Sequence, residues 1–130
     1  MSPQTQHDDR LPARALATVL VLHGIAHLAG TSTALRKAAN GESADYLAGF
    51  WTVSDPTLLR ALGVLWALAG TAFVIAAVVV WRRHQSWPRV LAAVSLASLV
   101  AIAPALWSTT AGVVIDIGLL VLAVRAGARY

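Results

Sequence analysis

Residues 15–35, ALATVLVLHGIAHLAGTSTAL, contain no charged side chain and are long enough to cross a bilayer as a helix. Their 21 residues would extend over about 30 Å, the thickness of the hydrocarbon core. Two histidines, His23 and His27, interrupt this apolar run four residues apart, so a helix places them on one face. Ionisable groups at membrane depth are costly, and the stretch therefore predicts a membrane helix that carries a functional site.

The composition of the whole chain indicates the same class of protein. Of its 130 residues, 58% are hydrophobic and 12% are charged, whereas a soluble domain has about 25% charged residues. Every backbone group in hydrocarbon needs an internal hydrogen bond, so helix-length apolar runs predict an all-α, integral membrane four-helix bundle. The chain has no cysteine, which excludes disulfides, thiolate metal sites and iron–sulfur clusters.

We predict one transmembrane domain that follows a disordered N-terminal segment at residues 1–13. The last two spans come from one apolar run that is too long to cross once and folds back near Pro104. The four spans are expected at residues 14–35, 56–81, 88–107 and 110–126.

The basic residues predict the orientation. Seven lysines and arginines fall on the side that holds both termini and three on the other side, so we expect both termini in the cytoplasm and the protein in a cell membrane. The longer outer connection, between the first two spans, is expected to contain an interfacial helix from Ser43 to Trp51. Asp55 and Pro56 are typical of a helix start, with Asp55 as N-cap. A competing interpretation makes the first span a cleaved signal peptide, although two histidines interrupt its apolar region.

One carboxylate lies inside the predicted fourth span. We expect Asp116 at the depth of His27, in the outer half of the bilayer, and a carboxylate there needs a partner. A hydrogen-bonded pair of Asp116 and His27, with His23 nearby, would bind a ligand or exchange protons near neutral pH. Three aromatic residues are expected to line the pocket: Trp66, Trp107 and Tyr46.

The predicted third span offers small residues at helical spacing. Ala93, Ala97 and Ala101 are typical of a face for close helix packing. Ser95 and Ser98 are expected to hydrogen-bond to the backbone of their own helix.

The candidate site residues are also candidate metal ligands. Histidines at positions i and i+4 of a helix reach one zinc, copper or similar ion, and Asp116 adds an oxygen ligand. The spacing resembles the zinc-protease motif His-Glu-x-x-His, but Gly24 stands where that motif has its glutamate, which gives no support for peptidase chemistry. Because His23 and His27 share one face, a haem with two histidine ligands would need a second subunit.

Three other classes of function stay open at this point. The first is transport. Four spans in about 130 residues resemble the small multidrug-resistance transporters in size, but the glutamate of their first span has no counterpart here. The alternatives are a membrane enzyme whose His/Asp acid–base pair acts on a lipophilic substrate, and a non-catalytic subunit of a larger complex. The expected partners are the lipid bilayer and a second copy or another membrane subunit. The basic residues are assigned to topology and lipid headgroups, and no nucleic-acid partner is expected.

Overall fold

The computed structural model describes residues 10–46, 51–103 and 110–128, which form four helices and one short hairpin. The helices are α1 (Arg10–Asn40), α2 (Pro56–Trp81), α3 (Trp87–Ile102) and α4 (Thr110–Gly127). The hairpin consists of β1 (Ala44–Tyr46) and β2 (Trp51–Val53). The prediction of a helical fold is therefore confirmed for the described residues.

Three of the four helices are long and apolar enough to cross a membrane: α1, α2 and α4. These helices indicate a membrane protein. The remaining helix, α3, is also apolar, but its 16 residues extend over only about 24 Å. The predicted third span is thus found as far as Ile102, while Pro104 and Trp107 lie outside the described residues.

Helix α1 extends beyond the predicted span at both ends, because it begins at Arg10 and continues to Asn40. Gly41 ends it in the left-handed region, with a φ of 68°, a conformation that glycine adopts without steric cost. The backbone N–H of Glu42 donates a hydrogen bond back to the carbonyl oxygen of Lys37 and closes the last turn.

The connection after α1 contains a hairpin, and the predicted interfacial helix from Ser43 to Trp51 is wrong. Residues of β1 pair with β2 in antiparallel register, with Tyr46 opposite Trp51. Aromatic and β-branched residues favour strands, and the rings of Tyr46 and Trp51 pack with their centroids 5.7 Å apart. The hydroxyl of Thr52 also donates a hydrogen bond to the carboxylate of Asp45 across the strands.

The predicted start of α2 is confirmed. The side chain of Asp55 accepts hydrogen bonds from the backbone N–H groups of Leu58 and Thr57, and Pro56 occupies the first turn. These hydrogen bonds, with that from Leu58 the stronger influence, lower the pKa of the Asp55 carboxyl from its usual 3.8.

Neighbouring helices pack in chain order, α1 against α2, α2 against α3 and α3 against α4. The closest approach is between α1 and α2. A Cβ atom on Gly70 would lie 2.8 Å from the carbonyl oxygen of Gly24, and one on Gly24 would lie 2.8 Å from that of Gly70. The two backbones therefore touch at a point where only glycine fits without displacement.

The two ends of the molecule differ in charge and structure. The end that carries β1 and β2, here called the hairpin end, has an apolar cluster formed by residues of both strands and of α1, α2 and α3. At the opposite end, a Cβ atom on Gly127 of α4 would lie 3.9 Å from Pro88 of α3. We call this the arginine end, after the residues Arg14, Arg82, Arg83, Arg89 and Arg125.

The buried face of α3 is not the one predicted from its alanines. Ala93 and Ala97 are exposed, and only Ala101 of that set is buried. Ser95 and Ser98 are fully buried instead. The face that α3 presents to its neighbours thus carries hydroxyl groups.

Candidate functional site

Four polar side chains from three helices converge between the two ends of the molecule. Helix α1 contributes His23 and His27, α3 contributes Ser98, and α4 contributes Asp116. All four are buried, and Asp116 is completely inaccessible to solvent. We call this group the histidine–aspartate cluster.

Hydrogen bonds connect the cluster into one chain. The Nε2 atom of His23 lies 2.9 Å from Oδ1 of Asp116, and the hydroxyl of Ser98 donates to Oδ2 at 2.6 Å. The Oγ atom of Ser98 also lies 3.0 Å from Nε2 of His27. An ionised carboxylate can only accept hydrogen bonds, so His23 donates to it, and Ser98 in turn accepts from His27.

The pairing differs from the predicted one. The direct partner of Asp116 is His23, and the predicted hydrogen bond between Asp116 and His27 is wrong, because Ser98 lies between these two residues. The prediction estimated depth by counting from the end of the apolar run. Helix α1 continues well past that point, so the count does not give the register between α1 and α4.

The roles predicted for the two serines of α3 are also wrong. Ser98 donates to Asp116 across helices, whereas a bond to its own backbone was expected. The buried Oγ atom of Ser95 has no hydrogen-bond partner among the described residues. The sequence signal for Ser98 is a hydroxyl group in the third apolar segment. It was missed because the packing face of that helix was assigned from the alanines alone.

A phenyl ring from α2 covers the two imidazoles. Phe73 is fully buried, and its ring lies edge-on to His23, with centroids 4.6 Å apart. The same ring stacks on His27 at an interplanar angle of 19°. Phe73 therefore fixes both rings from the side of α2 and keeps water from that side.

On the other side, the two histidines face a cavity of about 270 Å³. The cavity lies between α1 and α4 and is apolar apart from the imidazoles. Three of its lining residues are exposed, Ala26, Ala111 and Ile115, so the cavity opens to the outside of the molecule. Its other lining residues are Gly30, Trp66, Ile102 and Gly112.

Of the three aromatic residues predicted to line the pocket, Trp66 does so. Its indole N–H donates a hydrogen bond to the carbonyl oxygen of Ala101 at 2.9 Å, which fixes the ring. Tyr46 is not among the lining residues, because it packs edge-on against Trp66. Burial there raises the pKa of the Tyr46 hydroxyl. Trp107 lies outside the described residues.

The cluster has the donor set of a metal site. His23, His27 and Asp116 each offer one ligand atom, and these atoms lie within 4.8 Å of one another. His84, by contrast, is exposed and pairs with Ser86 in the turn between α2 and α3. The described structure thus brings together all three residues that the sequence nominated as ligands.

No protein-family model matches the sequence, and no curated protein or solved structure matches it either.

Proposed function

We propose that the protein is a small membrane protein that binds a divalent transition-metal ion at His23, His27 and Asp116. The observation that supports this proposal most strongly is the convergence of three buried ligand atoms within 4.8 Å. Two imidazoles and one carboxylate are donors that suit zinc, iron and similar ions.

Metal binding would replace some of the hydrogen bonds of the cluster. The hydrogen bond between His23 and Asp116, at 2.9 Å, would be lost, because both groups would bind the ion instead. His27 would exchange its contact with Ser98 for the metal, and the imidazole nitrogens that bind the ion would carry no proton. The hydroxyl of Ser98 would keep its bond to Oδ2 of Asp116 and orient the carboxylate, as residues behind metal ligands commonly do.

Three protein ligands leave at least one coordination position for another molecule. Both histidines line the apolar cavity, so a ligand in the cavity would be close to the bound ion. The bound ion would hold a small ligand by one polar group while Trp66 and Ile102 contact its apolar part. Because the cavity opens beside α1 and α4, a lipophilic ligand would enter from the bilayer.

The proposal places the cluster in the outer half of a cell membrane, with both termini in the cytoplasm. The supporting observation is the arginine end, since basic residues are retained on the cytoplasmic side. A single cysteine introduced at Gly127 should react with a membrane-impermeant thiol reagent only after the cells are opened. Labelling of intact cells would show the opposite orientation and contradict this part of the proposal.

Cobalt binding tests the metal proposal. We would strip the full chain of metal in a mild membrane mimetic and titrate it with Co²⁺, whose visible absorption reports nitrogen and oxygen ligation. The wild type should show saturable bands at one ion per chain. His23→Ala and Asp116→Ala should each weaken binding by more than about tenfold, because even the loss of a residue that only supports a metal ligand has an effect of about that size.

His84→Ala is the matched control, because His84 is an exposed histidine outside the cluster. It should bind Co²⁺ like the wild type. A folded wild type with no saturable bands, or an equal loss in His84→Ala, would contradict the proposal.

A second candidate is a metal-free acid–base site. The observation that favours it is the hydrogen-bonded chain from His23 through Asp116 and Ser98 to His27, which is complete without an ion. Such a chain can accept a proton from a cavity-bound ligand and return it, as catalysis or proton-coupled transport requires. Ligand binding that depends on pH and is unaffected by chelators would support this candidate over the metal site.

A further inference from the structure

A second feature, away from the cavity, lies at the arginine end. Arg14, Arg82 and Arg83 line a cleft of about 250 Å³ together with Trp81. Arg14 lies against the indole face, with its guanidinium carbon 5.6 Å from the ring centroid. Trp81 is itself 58% exposed, as is typical of a tryptophan at a membrane interface.

No carboxylate in the described part of the chain neutralises these arginines. The described acidic residues are Glu42, Asp45 and Asp55 near the hairpin end and Asp116 in the cluster. The turn after α2 also keeps two of the arginines together. Arg83 has a φ of 51°, uncommon for a residue other than glycine, and its backbone N–H donates to the carbonyl oxygen of Val80. The cleft therefore concentrates positive charge that is available to an anionic partner.

An apolar groove continues from the cleft along the outer surface of α1 and α2. Its volume is about 510 Å³, and Trp81 and Arg82 line both the groove and the cleft. From Arg82 to Val74 the groove follows α2 for about 12 Å, at 1.5 Å per residue. The cationic cleft is thus continuous with a mainly apolar groove about 12 Å long.

We propose that the cleft and groove together bind one anionic phospholipid. Its phosphate lies among Arg14, Arg82 and Arg83, and one acyl chain occupies the groove between α1 and α2. A free phosphate would use the arginines alone, whereas the shared lining at Trp81 and Arg82 favours a molecule with both parts. This site is independent of the proposed metal function.

Native mass spectrometry of the full chain in detergent tests the site. We would compare phosphatidylglycerol with phosphatidylcholine of the same acyl chains. The wild type should bind one phosphatidylglycerol at least about tenfold more tightly than phosphatidylcholine, since each arginine near a headgroup contributes measurably. Arg14→Gln combined with Arg82→Gln should abolish that preference.

Two controls separate this site from general charge effects. Arg89→Gln combined with Arg125→Gln removes the same charge from the arginine end without touching the cleft, and should keep the preference. Val78→Trp fills the groove and leaves the arginines in place. It should therefore weaken the binding of both lipids and keep the preference for phosphatidylglycerol. It also tests the groove if the arginine double variant fails to fold.

Three results would overturn the proposal. Equal affinity for the two lipids would remove the role of the cleft. An equal loss in the control double variant would indicate bulk charge. Glycerol 3-phosphate that binds as tightly as phosphatidylglycerol would indicate a phosphate site without a lipid.

Discussion

Helix α1 contacts α2 and α4 in opposite ways. Towards α2, Gly24 and Gly70 bring the backbones into direct contact, and no polar side chain is needed. Towards α4, the described backbones stay further apart, and His23 reaches across to Asp116. The cavity lies on this second side.

The difference shows how a membrane protein can hold helices together while leaving room for a ligand. Lipid is as apolar as leucine, so helix association depends on close packing or on hydrogen bonds between helices. The glycine contact uses close packing and fixes α1 on α2. The histidine–aspartate contact uses hydrogen bonds, and the cavity beside it has room for a ligand.

The largest expected effect is on the glycine contact. In Gly70→Ala, the new Cβ lies 2.8 Å from a backbone oxygen that cannot rotate away, so the helices must separate. We expect the free energy of unfolding in detergent to fall by about 1–3 kcal/mol, as for other overpacked interiors. Gly118→Ala is the control, because a Cβ atom there meets nothing within 4 Å, and it should leave stability nearly unchanged. Equal effects of the two substitutions would refute the close contact.

The next effect tests the hydrogen-bonded contact between α1 and α4. A double-mutant cycle of His23→Ala and Asp116→Ala, measured with chelator present, should give a coupling free energy of about 0.6–1.7 kcal/mol, between the average and the maximum measured for hydrogen bonds between membrane helices. The cycle of His27→Ala with Asp116→Ala should give less, because Ser98 lies between those residues. A larger coupling for His27 would restore the pairing predicted from the sequence.

A smaller effect is expected from the serines of α3. Ser98→Ala removes a donor to Asp116 and should lower the free energy of unfolding by about 0.6 kcal/mol. Ser95→Ala is matched in size, burial and helix, but its hydroxyl has no partner among the described residues. It should be neutral or stabilising, because it removes an unsatisfied buried polar group. The thermal unfolding temperatures of both variants test this, and a reversed order would contradict the hydrogen-bonded chain.

The smallest effect concerns the start of α2, which serves as a reference outside both contacts. The hydrogen bonds to Asp55 lower its pKa in the folded state, so its stabilising effect is fully present above its usual pKa of 3.8. That effect is lost as the pH falls through the lower, folded-state value. The difference in unfolding temperature between wild type and Asp55→Ala should therefore shrink in acid. A difference that stays constant down to about pH 2 would argue against the cap.

The helices of this fold could largely be predicted from the sequence. Apolar runs long enough for the bilayer gave α1, α2 and α4, and Asp55–Pro56 gave the start of α2, because both signals are local. The hairpin was missed because Tyr46 and Trp51 stabilise strands only when they are paired, and pairing is not a local property. The side of the membrane on which each terminus lies stays a prediction.

The candidate site was predictable in its residues and not in its connections. His23, His27 and Asp116 stood out because ionisable groups are rare in apolar segments. Their partners depend on the register between helices, which residue counting gives only to about one turn. Ser98 carried no such signal, because serine is common in membrane helices and often bonds to its own backbone.

Zinc retention tests most directly whether the contact between α1 and α4 is a metal site. The full chain in a membrane mimetic would be stripped, loaded with Zn²⁺, desalted and measured by elemental mass spectrometry. We predict about one zinc per chain in the wild type and almost none when His23→Ala and His27→Ala are combined. A folded wild type that retains no zinc, or a double variant that retains as much as the wild type, would contradict the account.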